Sequence, residues 1–335
     1  MRHDVIENLY DIVDEMAMLL VEHGNLRYLD ALCGASANVM AADVLQEVDT
    51  DIEIKLFQLC KQLTTMEFEV EEVRKALQLA LLKGMKADHV PLDKITPDSI
   101  GLIIGHLVSK LCSSLKNLKV ADLTSGTGNL LTTLLNTFDE PPAEIYGVEI
   151  DYDMLSLSKM MADMQDYQIQ FFHQSSARAM AIPKMDLIIG DLPTDGFVEA
   201  ADLDSKLAAA GYNDLPYLLV ENHLNYLTDG GYGIYLIRND FFSKPAAAKF
   251  HEVLTNVAEI GMLLQLPTSL FKDTSKQKSI FVIRKHKPGQ KAASEVLVGN
   301  FPDFSDIENF STMLTKLDKW ITINEWAHSL KYIDK

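Results

Sequence analysis

Near residue 117 the hydrophobic pattern of this chain changes period, and that change constrains the possible folds more than any other feature. From residue 3 to about 85 the apolar residues recur at helical spacing. The run VIENLYDIVDEMAMLLVEH puts Val5, Leu9, Ile12, Met16 and Leu19 on one side, and no strand-like alternation interrupts. Helical signals continue through IEIKLFQLCKQL and EFEVEEVRKALQLALLKGM, where Gly84 is the expected C-cap. KADHVPLDKITPDSIG, with two prolines, reads as a linker from which Thr96-Pro97-Asp98 starts a helix. Beyond it, short apolar runs alternate with amphipathic helices, as in βαβ units. LKVADL, EIYGVE, IQFF, MDLIIG, GYGIYLI, IGMLLQL and SIFVIRK are the expected strands. NLLTTLLNTF, YDMLSLSKMMADMQ, LPYLLVENHLNYL and KPAAAKFHEVLTNV are the helices between them. The predicted fold is α/β: a helical domain over residues 1–90, then a doubly wound, seven-stranded, mostly parallel Rossmann-like sheet over residues 91–335. Trp320 and Trp326 are expected on a closing helix.

Charge and cysteine usage narrow the function. The formal net charge is −18, so the average surface repels nucleic acid, whose binders offer a basic face. Residues 1–85 hold 16 Asp/Glu against 7 Lys/Arg, an acidic arm better suited to docking a protein or to dimerisation than to holding phosphates. Lys272 to Lys291 reverses this, with seven Lys/Arg and one Asp, and reads as a solvated hairpin or a locally basic edge. Cys33, Cys60 and Cys112 form no CxxC pair and are expected to be reduced. His106, His173, His223 and His251 lack metal-ligand spacing, and no metal is expected. The N-terminus is acidic rather than signal-like, and no apolar run reaches the ~18 residues of a membrane span. A cytoplasmic, soluble protein is the expectation.

The chemistry concentrates where strands end. ADLTSGTGNLL ends a strand at Asp122 and turns into a helix through Gly126 and Gly128, which let backbone approach a ligand. Asn129 stands where a phosphate loop needs lysine, and Leu131 where a dinucleotide fingerprint needs its third glycine. S-adenosylmethionine, which has no phosphate and a cationic end, suits an acid followed by Gly-x-Gly; a plain tight turn is the alternative. Glu149 ends the next strand, at the distance where a carboxylate accepts from ribose hydroxyls, with Asp151 nearby. MDLIIGDLPTDGF then places Asp191, Leu192, Pro193 and Thr194 past a buried run.

The order DLTSGTGNLL, IYGVEID, MDLIIGDLP, LPTSLFKDTSKQKSIFVI resembles the class I S-adenosylmethionine-dependent methyltransferases, especially the adenine-N6 DNA methyltransferases and the modification subunits of type I restriction systems. The likeness covers roughly residues 95 to 288. It implies a methyltransferase domain and a cofactor site of Thr96, Pro97, Asp122, Thr124, Gly126, Gly128, Glu149, Ile150 and Ser175. Leu123 and Ser125 depart from the family's glycine turn, and Ser175 stands where the family carries an acid for the cofactor's adenine. The family's catalytic Asn/Asp-Pro-Pro-aromatic motif maps onto Asp191, Leu192, Pro193 and Thr194.

The chemistry of that motif is explicit. An adenine amine is a poor nucleophile until a side-chain oxygen and a backbone carbonyl accept its N–H groups and localise its lone pair. Asp191 and the Leu192 carbonyl fill those roles, while Thr194 lacks the ring that stacks on a flipped base; Phe197 or Tyr212 are the candidate replacements. About 45 residues follow the last strand, too few for a target-recognition domain. Nucleic acid is therefore expected to be met weakly or through a partner subunit. Three functions stay open: an N-methyltransferase acting on nucleic acid or a protein amide, a regulatory protein that binds the cofactor without turnover, and a structural subunit docked through its acidic helices.

Overall fold

Four helices follow the early helical period: α1 (His3–Gly24), α2 (Tyr28–Ala41), α3 (Thr50–Thr65) and α4 (Val70–Ala87). The computed structural model describes residues 1–199 and 203–327. The buried stripe of α1 is wider than one row: Ile6, Leu9, Val13, Met16 and Leu20 all face inward, with Ile12 and Leu19 beside them, and Val5 is only partly covered. They meet Leu32, Leu56, Cys60, Leu77 and Leu81 from the other three helices. A capping box of Glu69 and Glu72 starts α4, and Arg2 pairs with Glu72 at 2.7 Å. Gly84 is not a cap. The helix runs on to Ala87, and a Cβ at Gly84 would lie 2.5 Å from Leu29 and 2.6 Å from Tyr28. The glycine lets the first turn of α2 press onto α4, while the Asp88 carboxylate accepts the Tyr28 and Leu29 amides at 3.2 and 2.9 Å.

After α5 (Asp98–Leu111) come β1 (Lys119–Asp122), α6 (Asn129–Leu135), β2 (Glu144–Glu149), α7 (Tyr152–Asp163), β3 (Gln170–His173) and β4 (Met185–Asp191). The chain continues through α8 (Lys206–Ala209), α9 (Leu215–Leu224), β5 (Leu227–Arg238), α10 (Ala247–Thr255), β6 (Ala258–Gln265), β7 (Lys278–Lys285), β8 (Leu297–Asn300) and α11 (Ile307–Ile323). The sheet order is β3-β2-β1-β4-β5-β7-β6-β8; β2, β1, β4 and β5 pair in parallel, as do β6 and β8, and β7 runs against both its neighbours. All seven expected strands form; β8, short and half-covered, extends the edge beside β6. Central strands read as unbroken apolar runs because both faces are covered: Leu187, Ile188, Ile189, Ile234, Leu236, Val282 and Ile283 are all fully buried.

Two compact units result: Met1–Leu102, Ser125–Asp139 and Asp151–Phe171 form one, and Ile103–Thr124, Glu140–Ile150 and Phe172–Lys335 the other. In the first, the methionines of α7 are core packing: Met154, Met160 and Met161 join the helical cluster together with Leu157. In the second, Trp320 lies on α11, whereas Trp326 lies past its end, buried where a Cβ on Gly261 would come within 2.1 Å of its ring. The guanidinium of Arg284 stacks over the Trp326 ring at 4.6 Å and bonds to Glu259 at 2.7 Å. No helix among the described residues is long and apolar enough to cross a membrane.

Candidate functional site

Because β1, β2 and β4 are parallel, their acidic last residues gather at one edge of the sheet. Asp122 registers with Gly147 of β2 and Ile189 of β4, so Glu149 and Asp191 each project two residues beyond it. Asp122 is 1% exposed. Its Oδ1 accepts the Thr124 amide at 3.0 Å, while its Oδ2 is buried without a partner among the described residues. Burial pushes the Asp122 carboxyl up to about 8; the Thr124 bond opposes that, and the negative charges of Glu149 and Asp191 add to it. The Thr124 hydroxyl is also buried without a partner among the described residues, 2.5 Å from where a Cβ on Gly190 would stand. Gly190 is therefore required by close approach, a constraint the strand pattern did not reveal.

Glu149 accepts the Ile150 amide on Oε1 at 2.8 Å, and its main-chain oxygen accepts from Gln174 at 3.0 Å. Ile150 beyond it is exposed, and its carbonyl meets the His173 ring at 2.9 Å. Ser175 is half-buried in the turn after β3, its hydroxyl accepting the Ala177 amide at 3.4 Å.

Asp191 carries an ion pair that sequence reading missed. Lys278, the first residue of β7, bonds to its Oδ1; the two side chains are 13% and 18% exposed, lysine first. The antiparallel run of β7 makes this possible: Arg238 registers with Lys278 and Leu236 with Asp191, so the start of β7 arrives at the edge where β4 and β5 end. The basic run is thereby divided, with Lys272, Lys276 and Lys278 at the carboxylate edge and Lys285, Lys287 and Lys291 at the opposite one.

Leu192 is buried and its amide donates to Leu236 at 3.1 Å. Leu192, Pro193 and Thr194 line a cavity of about 10 Å³ with Tyr217, Arg238 and Phe241, room for a single water. Tyr217 and Phe241, with ring centres 4.3 Å apart, are aromatic residues of this lining. Phe197 instead stands 80% exposed on a bridge to Asp214, and Tyr212 packs partly buried beside the second core. Of the histidines, His223 is fully buried with neither ring nitrogen bonded among the described residues, and burial depresses it to about 3. His106 meets Asp318 at 2.8 Å.

The first unit holds the remaining expected residues. Gly126 and Gly128 both adopt left-handed backbone, φ 52° and 80°. A Cβ on Gly128, which caps α6, would lie 3.0 Å from the Ser158 backbone. Thr96 is buried and its carbonyl accepts the Asn129 amide at 2.7 Å, while Pro97 opens α5. Asn129 in turn accepts from a wholly buried Arg74 at 3.0 Å. Asp151, the alternative acid after β2, caps α7 by accepting the Asp153 and Met154 amides. Among the described residues no cluster of His, Cys, Asp or Glu is arranged to hold a metal.

A doubly wound sheet with one antiparallel strand, a left-handed glycine turn after β1 and acids closing β1, β2 and β4 defines the class I methyltransferase fold. The sequence pattern of the N-6 DNA methylases matches residues 94–329, and that of the YtxK N-terminal helical domain matches residues 7–85. The chain belongs to the N-6 DNA methylase family. It is 33% identical to the uncharacterised protein YtxK of Bacillus subtilis (strain 168), over 96% of this chain and 98% of that one. A crystal structure from Listeria monocytogenes, described as a proposed class I S-adenosylmethionine-dependent methyltransferase, superposes with a TM-score of 0.84 at 28% identity, covering 95% of this chain and 99% of its own. The type I restriction-modification methyltransferase subunit of Streptococcus thermophilus shares the fold with a TM-score of 0.61 at 12% identity, covering 97% and 79%.

Proposed function

We propose that the protein is an S-adenosylmethionine-dependent N-methyltransferase whose acceptor is an amine conjugated into a flat ring, adenine N6 of nucleic acid foremost. The observation that carries this reading is Asp122: a buried carboxyl pushed up to about 8, one oxygen without a partner, beside two further carboxylates. Such a place favours a cation, and S-adenosylmethionine brings a sulfonium and an ammonium. Thr124, Gly126 and Gly128 belong to the turn after β1 that would meet the ligand, Glu149 suits ribose hydroxyls, the exposed Ile150 offers an apolar face, and Ser175, Thr96 and Pro97 complete the set. The bound cofactor supplies an electrophilic methyl group.

The chain's own residues prepare the acceptor. Asp191 and the Leu192 carbonyl accept N–H groups of the amine and localise its lone pair, and the ion pair with Lys278 orients the Asp191 side chain. Tyr217 and Phe241 line the small cavity at this loop, whereas Phe197 is exposed. The small cavity at Leu192–Thr194 favours a second reading, a protein that binds the cofactor without turnover. With a net charge of −18, contact with nucleic acid is best supplied through a partner subunit, the acidic N-terminal helices serving as a docking or dimer surface, in the cytoplasm where the three free thiols stay reduced.

Calorimetric titration with S-adenosylmethionine tests the cofactor, with saturable binding the expected result. Tritiated methyl transfer to DNA, RNA and cell lysate then separates the two readings: incorporation abolished by Asp191→Ala supports the enzyme, and binding without incorporation supports the second.

A further inference from the structure

Arg74 lies on α4 in the helical domain, yet its side chain is 0% exposed, and a guanidinium so placed must find partners for every N–H. It does. Nε and Nη2 donate to Glu71 at 2.8 and 2.6 Å, Nη1 and Nη2 to the two oxygens of Asp98 at 2.9 and 3.0 Å, and the remaining Nη1 hydrogen to Asn129 at 3.0 Å. Asp98 also accepts from Gln78 at 2.6 Å and from Lys75. Burial by itself would raise the Asp98 carboxyl, but Arg74 and Lys75 hold it well below the usual range.

Asn129 spends its amide hydrogens on the Thr96 carbonyl at 2.7 Å and on Asp98 at 3.2 Å. It directly follows Gly128, and Thr96 directly precedes Pro97. One planar fork therefore fixes two backbone segments that sequence and chemistry assign to the cofactor. A buried ion cluster is weak evidence of stabilisation, because an apolar replacement of the same volume is often as stable. What the fork supplies is geometry, which a lysine cannot reproduce.

We propose that Arg74 is a positioning residue for S-adenosylmethionine: acting through Asn129 and Asp98, it sets the Thr96 carbonyl and the Gly128–Asn129 peptide, so that the helical domain takes part in cofactor binding. This rests on the cofactor reading above.

The test is calorimetric titration of the full chain with S-adenosylhomocysteine, on the wild type, Arg74→Lys, Arg74→Gln and Asn129→Ala, well below each variant's melting temperature. Asn129→Ala leaves the pairing of Arg74 with Glu71 and Asp98 intact, so it reports even if the Arg74 variants fail to fold. The expected result is wild-type binding with affinity lowered about tenfold or more in every folded variant, Arg74→Lys included. A purely structural role lowers the melting temperature and leaves affinity within twofold, and that result overturns the proposal. Absence of wild-type binding overturns the cofactor reading itself.

Discussion

Asp122 and His223 are both buried and both held neutral, and they pull stability in opposite directions with pH. The Asp122 carboxyl sits at about 8 in the fold against an ordinary 3.8, so between those values the folded chain keeps a proton that the unfolded chain has lost. Stability from Asp122 therefore falls as pH rises through that window and levels off above it. His223 sits at about 3 against an ordinary 6.5, so its contribution is lost as pH falls below 6.5. The two offset each other in the acid range, which leaves the Asp122 effect visible from about pH 6.5 to 8. Thermal melts across that interval are expected to fall, and Asp122→Asn to flatten the fall. A cationic ligand favours the charged carboxylate. Binding S-adenosylmethionine at pH 7 is thus expected to release up to about one proton, read from binding heats in buffers of different ionisation enthalpy. At the catalytic loop, Asp191→Ala is expected to lower methyl transfer by about 10² or more while cofactor affinity stays within a few fold. Lys278→Met removes the ion-pair partner that orients Asp191 and is expected to lower methyl transfer by about tenfold or more, with cofactor affinity within a few fold, in the same tritium assay.

Elements were legible where their signal was local. Period and turn chemistry located the seven strands and the main helices, and the acids that end β1, β2 and β4 stand in the sequence directly after their apolar runs. The misreadings share one cause, a contact with a distant element. Gly84 looked like a helix end but is a packing site for Tyr28 and Leu29. Trp326 looked helical but fills the space over Gly261. β8, four residues of half-exposed LVGN, is held by pairing with β6 rather than by its own pattern. Two glycines make sharp predictions. Gly128→Ala meets both a left-handed φ and the Ser158 backbone, and is expected to cost more than the roughly 1–2 kcal/mol of the φ strain alone. Gly261→Ala drives a methyl into the Trp326 ring and is expected to lower stability by about 1–3 kcal/mol in chemical denaturation. Trp326→Leu in that background is expected to recover part of the loss, and strict additivity of the two changes would refute the contact as the cause.

For the whole molecule, charge is the property that sequence states outright. A net of −18 predicts that the isolated protein does not shift duplex DNA in a gel at about 150 mM salt, and that any binding that emerges at low salt has a shallow salt slope. Tertiary structure decides how that charge is spent. It splits the basic run across the two edges of the sheet, delivers Lys278 to Asp191 across 87 residues of chain, and carries Arg74 to Asn129 across 55. The sequence by itself determined the helical domain, the doubly wound sheet and the acids and glycines at its strand ends, since each depends on the period and chemistry of neighbouring residues. Only the tertiary structure chose the partners that hold those groups in place, because the two halves of an ion pair or a packing contact need no pattern in common, only a fold that brings them to the same point.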